Sequence, residues 1–376
     1  MQTREITRLG VSVSRLGFGA MRMPTRDGKI DEALALEMVD YLQKSGVTYY
    51  DTALFYHDGE SEPFLKRALV DRYPRDSYTI ATKLPLSNCQ APEDMAGIFA
   101  SQLAKLGLSA IDFYLLHGIG AADWEKAKAL GAPGWLRRLK EGGSARFVGF
   151  SYHDLPDALP AILDDYPWDF CQIQLNYADW YQRGGAEMYN ALAARGIPII
   201  VMEPVRGGGL TQLYPDMRDL LDALDPSVSP ASWALRFCAG LPHVDVVLSG
   251  MSTMGQCVEN VGLFSDPPPL TAPQQDALRR IALAFDQMPT IPCTECRYCA
   301  GCPSGIDIPK LFTAYNNHMR YQGSWELSYV YKNEVPDDRK ATACTRCGAC
   351  EDICPQKIAV MDELGRVHKV AEGLWE

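Results

Sequence analysis

The sequence predicts an α/β protein in which an eight-stranded parallel (β/α)8 TIM barrel is followed by a small domain rich in cysteine. Eight short, mostly apolar runs alternate with segments of helical periodicity over about 250 residues, which is the usual size of such a barrel. Continuous apolar runs are typical of strands buried on both faces of a parallel sheet. Eight of the twelve cysteines follow the last of these runs. A doubly wound sheet is the alternative, but Gly17-Phe-Gly19 lacks the third glycine of the turn that it requires.

The predicted elements alternate along the chain after a hairpin at 5–16. Strands are expected at 15–19, 48–52, 77–84, 111–116, 146–151, 170–175, 198–202 and 244–248. Helices are expected at 31–44, 61–70, 95–106, 124–139 with a break at 132–134, 157–163, 186–194 and 231–239, with a further helix that reaches Asn260. This order predicts eight consecutive βα units.

A change of composition after Gly262 marks a second domain. The run Asp266-Pro-Pro-Pro269 favours extended polyproline geometry and precedes a helix at 272–287. We therefore divide the chain into a barrel at 1–265, a proline-rich linker and helix at 266–290, and a cysteine domain at 291–376 with a helix at 309–320.

The cysteines of this domain form two runs with near-constant spacing. The first run is Cys293, Cys296, Cys299 and Cys302, and the second is Cys344, Cys347, Cys350 and Cys354. The second run, closed by Pro355, has the C-x2-C-x2-C-x3-C-P spacing of bacterial proteins that hold two 4Fe-4S clusters, in which the fourth cysteine ligates the other cluster. The first run is one residue shorter, which leaves the place of Cys302 open. The pattern predicts a small, mainly helical, ferredoxin-like iron–sulfur domain.

Crossed ligation would divide these thiolates between two clusters. One cluster would be held by Cys293, Cys296, Cys299 and Cys354, and the other by Cys344, Cys347, Cys350 and Cys302. Structural zinc is the alternative, but zinc sites usually pair two C-x2-C knuckles across a longer loop. Disulfides are disfavoured because no signal peptide opens the chain, which predicts a reducing, cytoplasmic location.

Charge and hydropathy exclude two classes of partner. The net charge is −11, and nucleic-acid binding requires clustered positive charge, so no nucleic-acid partner is expected. No apolar run approaches the roughly 20 residues of a membrane helix, so no membrane partner is expected.

Four polar residues fall at or near successive predicted strand ends, where barrel enzymes carry their chemistry. Asp51, Lys83 and His117 end strands two, three and four, and Tyr56 follows in the loop after Asp51. A nearby ammonium lowers the pKa of a phenol, a carboxylate keeps the ammonium charged, and an imidazole can share the proton. The set can protonate an alkoxide as hydride reaches a carbonyl carbon. A structural ion pair of Asp51 and Lys83 beside a loop tyrosine is the alternative.

The segments Asp51-Thr-Ala-Leu-Phe-Tyr56, Ala81-Thr-Lys83, Leu115-Leu-His117 and Gly149-Phe-Ser151 resemble the aldo-keto reductase family. The resemblance covers about residues 3–265, and the cysteine tail resembles that of the iron–sulfur branch of the family. It implies a barrel that binds nicotinamide without a Rossmann motif, with Asp51, Tyr56, Lys83 and His117 as the catalytic residues.

The resemblance also implies cofactor contacts. The nicotinamide carboxamide is expected near Ser151 and a residue of the sixth strand end, with Gln174 favoured and Gln172 and Asn176 left open. The pyrophosphate is expected near the loop that holds Val205, Arg206 and Gly207, and the adenosine end near Gly250, Gln256, Glu259 and Asn260. Met202, with Glu203 next to it, stands where many members stack an aromatic ring. Residues 249–262 contain no Lys or Arg to hold a 2′-phosphate, which favours NAD over NADP.

The predicted function is an oxidoreductase that reduces a small-molecule carbonyl, or oxidises an alcohol, by hydride transfer with Tyr56 as proton donor. Because a hydride carries two electrons and a cluster normally passes one, a flavin in the barrel mouth or a ferredoxin-type electron partner is the alternative. A non-catalytic electron-transfer protein is the third hypothesis. An apolar substrate pocket is expected from Phe18, Met21, Trp180, Tyr181 and Tyr214.

Overall fold

The protein is described here from a computed structural model, which describes residues 1–266, 269–293, 297–320, 326–354 and 356–374. The chain forms two compact units. The first comprises Met1–Gly207 and Ala231–Ala282, and the second comprises Gly208–Pro230 and Leu283–Glu376. The chain therefore passes between the units three times.

The first unit is a closed barrel of eight parallel strands, each paired with its neighbours in chain order, and this confirms the predicted fold class. The strands are β1 (Leu16–Gly19), β2 (Tyr49–Asp51), β3 (Thr79–Pro85), β4 (Ile111–Ile119), β5 (Ala145–Tyr152), β6 (Phe170–Gln174), β7 (Ile199–Met202) and β8 (Val244–Ser249). Pairing of β8 with β1, in which Val247 lies opposite Leu16, closes the barrel.

The alternation of side chains along each strand gives the barrel two cores. Inward residues such as Tyr49, Phe113 and Phe170 fill the interior, and outward residues pack against the surrounding helices. A hairpin of Thr3–Ile6 and Val11–Ser14 adds Ile6 and Val13 to the interior core. It therefore covers the end of the barrel at which the strands begin.

Gly149 of the Gly149-Phe-Ser151 segment permits a close approach between β5 and β6. A Cβ at this position would lie 2.6 Å from the carbonyl oxygen of Phe170 and 2.8 Å from its ring. Because backbone cannot move aside as a side chain can, glycine is required here for packing of the barrel interior.

Helices connect the strands and extend into the second unit. They are α1 (Glu32–Lys44), α2 (Ser61–Leu65), α3 (Pro92–Leu106), α4 (Ala121–Ala129), α5 (Ala132–Glu141), α6 (Leu159–Asp165), α7 (Tyr177–Gln182), α8 (Gly185–Ala194), α9 (Pro215–Asp222), α10 (Pro230–Ala239), α11 (Met254–Ser265), α12 (Ala272–Asp286), α13 (Ile308–Arg320), α14 (Glu326–Tyr329), α15 (Ala349–Ile353) and α16 (Val360–Gly373). Local signals define many ends: the Asp31 carboxylate accepts a hydrogen bond from the Leu34 amide before α1, and Gly107 in left-handed conformation ends α3.

The second unit has its own apolar core. Leu311, Phe312 and Tyr315 of α13 pack with Leu364 and Val367 of α16, and several cysteines lie against this core. The barrel predicted at 1–265 includes segment 208–230, which the structure groups with the second unit. Within that unit, the Tyr214 hydroxyl donates a hydrogen bond to the Met319 carbonyl oxygen at 3.0 Å.

Two predicted features lie partly outside the described residues. Pro267 and Pro268 of the proline run do so, as does Pro355 after the second cysteine run. Within the ranges that the structure describes, no helix is both long and apolar enough to span a membrane.

Candidate functional site

The candidate active site lies at the carboxyl ends of the barrel strands. Asp51 is the last residue of β2, Lys83 lies near the end of β3, and His117 lies near the end of β4. All three alternate with outward residues that pack against the helices, so their side chains point into the barrel. The structure thus brings together the residues that the sequence placed at successive strand ends.

Lys83 joins the site through three hydrogen bonds. Its Nζ donates to Asp51 Oδ1 at 2.6 Å, to the Thr52 carbonyl oxygen at 2.8 Å and to the Tyr56 hydroxyl at 3.1 Å. The side chains of Lys83 and Asp51 are only 1% and 4% exposed. The ammonium also lies 4.8 Å from the centre of the Tyr56 ring. Charge, hydrogen bonds and ring contact together fix the phenol relative to the lysine.

Burial and charge set the protonation of this group. Burial alone lowers the pKa of Lys83, but the Asp51 charge and the bonds with Asp51 and Tyr56 outweigh it, so the pKa lies above its ordinary value. Burial raises the pKa of Tyr56; Lys83 acts in the opposite direction, and the charges of Asp51 and Glu203 add to the increase. The residue pattern predicts that the ammonium lowers the pKa of Tyr56, but in the structure the effect of burial is larger. At neutral pH the lysine is therefore charged and the phenol keeps its proton.

His117 stands beside the tyrosine as a neutral imidazole. The two rings meet edge to face, with centroids 6.3 Å apart and planes at 83°. Burial, followed by the charge of Lys83, lowers the pKa of His117 to about 3. One ring nitrogen of a neutral imidazole carries a proton, so His117 can donate a hydrogen bond without adding charge.

The loop that carries Tyr56 is held in an uncommon conformation. His57 and Asp58 follow it with φ of 51° and 54°, in the left-handed region that non-glycine residues seldom adopt. The His57 Nε2 accepts a hydrogen bond from the Met23 amide at 3.2 Å. This bond connects the Tyr56 loop to the segment that follows β1.

The sixth strand presents two glutamines to the barrel interior, two residues apart. Gln172 lies opposite Ser151 of β5 and is 1% exposed; its Oε1 has no hydrogen-bond partner in the described structure. Ser151 is buried too, and its Oγ accepts a hydrogen bond from the Gly118 amide at 2.9 Å. A buried amide oxygen without a partner is costly. The Gln174 side chain is hydrogen-bonded to Glu203. Gln172, the alternative to Gln174 as a carboxamide contact, is therefore the glutamine with an amide oxygen still available to a ligand.

Asn176 is engaged in the protein's own structure. It caps α7 by accepting from the Asp179 amide at 2.9 Å, and its Nδ2 donates to Asp179 Oδ2 and to the Glu203 carbonyl oxygen. Asp179 in turn accepts from Arg206 Nη1 at 2.6 Å. Asn176 and Arg206 therefore shape the loop after β7 through these contacts.

Met202, at the position where the resemblance implies an aromatic ring, is followed by the half-buried carboxyl of Glu203. Met202 ends the strand and its Sδ accepts from Gln172 Nε2 at 3.5 Å. Glu203 follows with φ of 53°. Burial, aided by the Asp179 charge, raises the pKa of Glu203, while Arg22 and Arg206 act against it. Val205 packs at the edge of the outer core.

Residues predicted for the adenosine end surround the segment after β8. Gln256 Oε1 accepts from the Ser252 amide at 2.7 Å, and Asn260 donates to Ser249 Oγ at 3.0 Å. Glu259 accepts from Ser232 Oγ at 2.8 Å. Gly250 lies between them and is exposed. These bonds fix the loop shape.

The predicted substrate pocket needs correction. Phe18 is fully buried and packs edge to face on Tyr50, so it belongs to the outer core because its strand turns it away from the barrel interior. Trp180 packs on Tyr189 and Phe237, and Tyr214 belongs to the second unit. Met21 and Tyr181 are exposed at 55% and 43%.

His153 is a further polar residue near the site that the sequence does not predict. It directly follows β5, and its ring centroid lies 6.5 Å from that of His117. Its place immediately after a predicted strand was the signal that could have identified it.

In the second unit, five of the predicted cysteine ligands line one cavity of about 200 Å³: Cys299, Cys302, Cys344, Cys347 and Cys350. Within the described ranges, no group of three or more His, Cys, Asp or Glu side chains is arranged to hold a single metal ion. In a 4Fe-4S cluster each thiolate binds a different iron atom, so the cluster does not require its cysteines to converge on one metal ion. Cys293 and Cys354 are partly buried near the same core, and Cys296 lies outside the described residues.

Comparison with known proteins follows the same division of the chain. Residues 15–282 match the aldo/keto reductase family and residues 292–359 match a 4Fe-4S dicluster domain, which confirms the predicted iron–sulfur domain.

Individual relatives have low sequence identity to this chain but align with it over more than half of its length. L-galactose dehydrogenase of Arabidopsis thaliana is 25% identical over 287 residues, which cover 71% of this chain and 89% of that protein. NADH-specific methylglyoxal reductase of Escherichia coli is 24% identical over 226 residues, which cover 54% of this chain and 66% of that protein. The structure of an aldo-keto reductase from Bacillus halodurans superposes with a TM-score of 0.62 at 25% identity, over 74% of this chain and 96% of that one. The chain belongs to the aldo-keto reductase family and carries a C-terminal 4Fe-4S dicluster domain.

Proposed function

We propose that the barrel interconverts a small carbonyl compound and its alcohol with a nicotinamide cofactor, and that Tyr56 is the proton donor. The observation that carries this proposal is the buried Lys83 ammonium, which binds both Asp51 Oδ1 and the Tyr56 hydroxyl. A structural ion pair alone would not need a phenol on the lysine and a neutral imidazole at the edge of its ring.

The cofactor supplies a hydride, and side chains of the protein hold and donate the proton. The Tyr56 hydroxyl donates to the carbonyl oxygen and delivers its proton as negative charge develops there. Lys83 stabilises the phenolate that remains, and Asp51 holds Lys83 in its charged form. His117, as a neutral donor, orients the carbonyl oxygen.

Ser151 and Gln172 are the side chains that would hold a carboxamide. They lie opposite each other on β5 and β6, and the Gln172 Oε1 has no partner in the described structure, so a carboxamide N–H would satisfy it. Gln174 is less suited because it is bonded to Glu203.

NAD is favoured over NADP. Residues 249–262 contain no Lys or Arg, and a dianionic phosphate binds poorly without a cation. The similar Escherichia coli protein is named an NADH-specific reductase.

The proposed function is tested by anaerobic purification, analysis of bound cofactors and oxidation of NADH or NADPH with a panel of aldehydes and ketones. We expect turnover with NADH and no stoichiometric flavin. A stoichiometric flavin, with no turnover of either dinucleotide, would contradict the proposal.

The pH profile should report the protonation states described above. Tyr56 has a pKa above its ordinary value of 10.0, and His117 has a pKa of about 3. The donor forms of both groups are present between these values, so kcat for carbonyl reduction should be flat from about pH 5 to about pH 9. Reduction should fall only as the pH rises through the raised Tyr56 pKa, whereas alcohol oxidation should accelerate there. A titration of kcat at saturating cofactor checks this; a fall centred near pH 7 would contradict the assignments.

We further propose that the second unit holds two 4Fe-4S clusters with crossed ligation. Cys302 lines one cavity with Cys344, Cys347 and Cys350, which supports this arrangement for one cluster; Cys299, which the scheme assigns to the other cluster, lines the same cavity. Cys347→Ser should lower the iron content from about eight to about four atoms per chain. Cys89→Ser, which changes a buried thiol of the barrel, is the control and should keep the full content. Full iron content and an unchanged 4Fe-4S signal in Cys347→Ser would reject the ligand set.

A flavin or a ferredoxin-type electron partner is the second candidate for the redox chemistry. It is favoured by the presence of a dicluster domain on the same chain as a two-electron site. Reduction of the clusters by NADH alone, in protein without flavin, would reject a requirement for flavin.

A further inference from the structure

Arg22 lies in the segment after β1, a place for which the sequence suggested no cofactor contact. The residue is exposed, and among the described residues its guanidinium has no hydrogen-bond partner. Most arginines of the barrel unit with known contacts bind carboxylates or carbonyl groups, as Arg206 binds Asp179. The guanidinium of Arg22 therefore keeps its donors available for a ligand.

Two glycines define where this side chain runs. A Cβ at Gly250 would lie 3.2 to 3.3 Å from the Cβ, Cγ and Cδ of Arg22, and a Cβ at Gly207 would lie 2.9 Å from its Nη2. The arginine stem thus passes over the segment after β8, and its guanidinium reaches the glycine loop after β7. These are the two segments at which the adenosine and pyrophosphate ends of a dinucleotide are expected.

The backbone around Arg22 is anchored on both sides. Ser252 Oγ donates to the Arg22 carbonyl oxygen at 2.6 Å, and the Ser252 amide is itself bonded to Gln256. The next amide, of Met23, donates to His57 beside Tyr56. The guanidinium therefore stands on a segment fixed to both the β8 loop and the Tyr56 loop.

The local charges favour an anion at this place. Arg22 lies close enough to Glu203 for its charge to oppose the burial that raises the pKa of that carboxyl. Arg206 of the glycine loop is committed to Asp179 at 2.6 Å. Residues 249–262 supply no Lys or Arg. Arg22 thus provides a positive charge at a place where the neighbouring loops provide little.

We propose that Arg22 binds the pyrophosphate of the dinucleotide from the first βα segment, across the glycine loop that carries Gly207. This rests on the proposed nicotinamide function. A guanidinium matches phosphate oxygens in a bidentate manner that a lysine cannot reproduce. Because NAD and NADP share the pyrophosphate, Arg22 strengthens the binding of both and leaves discrimination to the adenosine end.

The test measures dissociation constants of NADH and NADPH for the full chain, purified anaerobically, by quenching of intrinsic fluorescence. Arg22→Gln should weaken both dinucleotides by the same factor, about tenfold to hundredfold, since a hydrogen bond to a charged group is lost. It should also flatten the dependence of binding on salt. Arg22→Lys should lie between wild type and Arg22→Gln. Arg146→Gln, which removes an exposed arginine where β5 begins, is the matched control and should bind as wild type.

Three outcomes would overturn the proposal. Unchanged affinity of Arg22→Gln for both dinucleotides would show that the guanidinium does not touch the phosphates. A loss confined to NADPH would place Arg22 at the 2′-phosphate instead. Failure of the wild-type protein to bind either dinucleotide would reject the proposed function itself. This outcome differs from failure of the Arg22 proposal alone, because it is seen in the wild-type protein.

Discussion

Tyr56→Phe should lower kcat for carbonyl reduction by about 10²–10⁴, the usual contribution of general acid catalysis. The substitution removes the hydroxyl that lies 3.1 Å from the Lys83 Nζ and leaves the ring and its contact with His117 in place. Lys83 and Asp51 keep their own bond. The affinity for NADH should therefore remain near the wild-type value, and the loss should appear in kcat.

Steady-state kinetics at saturating NADH, with a direct binding measurement, checks this expectation. Tyr78→Phe is the matched control, because Tyr78 is a buried tyrosine next to the start of β3, at the opposite end of the strand that carries Lys83. It should keep wild-type kcat. A wild-type kcat in Tyr56→Phe would show that Tyr56 is not the proton donor.

Lys83→Met should destabilise the barrel unit by about 3–5 kcal/mol, because it leaves the Asp51 carboxylate buried without its cation. Asp51 Oδ2 already has no hydrogen-bond partner in the described structure, so the carboxylate has little else to stabilise it. The same change removes the charge that stabilises a Tyr56 phenolate, so catalysis should also be lost.

The double variant Asp51→Leu with Lys83→Met separates these two effects. Replacing a buried ion pair by apolar side chains is often neutral, so the double variant should recover most of the lost stability and none of the activity. Urea unfolding followed by tryptophan fluorescence reports on the barrel unit, in which Trp168 and Trp233 are buried. Equal stability of Lys83→Met and wild type would mean that the pair is not buried as described.

The barrel and the convergence of Asp51, Lys83 and His117 could be predicted because local pattern is sufficient for both. Apolar runs identify strands buried on two faces, and a parallel barrel brings all carboxyl strand ends to one rim. The pKa direction of Tyr56 could not be predicted, since it depends on how deeply the completed fold buries the phenol.

Contacts between segments that are distant along the chain could not be predicted from the sequence either. Nothing in segment 208–230 marks it as part of the second unit, because its bond from Tyr214 to Met319 joins residues far apart in the chain. Gln172 and Gln174 face the same way along β6, so only burial and hydrogen bonding distinguish them. Arg22 belongs to no recognisable motif, and its proposed role as a phosphate ligand follows from the position of its side chain next to Gly207 and Gly250 in the fold.

The cysteine runs illustrate the opposite case. Their spacing is sufficient to predict an iron–sulfur domain, because ligand spacing is a local property. The division of the thiolates between clusters is not local, and the cavity that Cys302 shares with the second run supports the proposed crossing.

Transfer of deuterium from C4-deuterated NADH to a carbonyl substrate tests the central claim most directly. With wild-type protein, we expect deuterium on the carbinol carbon of the alcohol product, at a rate that Tyr56→Phe reduces by about 10²–10⁴. If the product alcohol contains no deuterium from either face of the nicotinamide, NADH is not the hydride donor. If Tyr56→Phe forms the product at the wild-type rate, Tyr56 is not the proton donor. Both results together would contradict the chemistry proposed for this barrel.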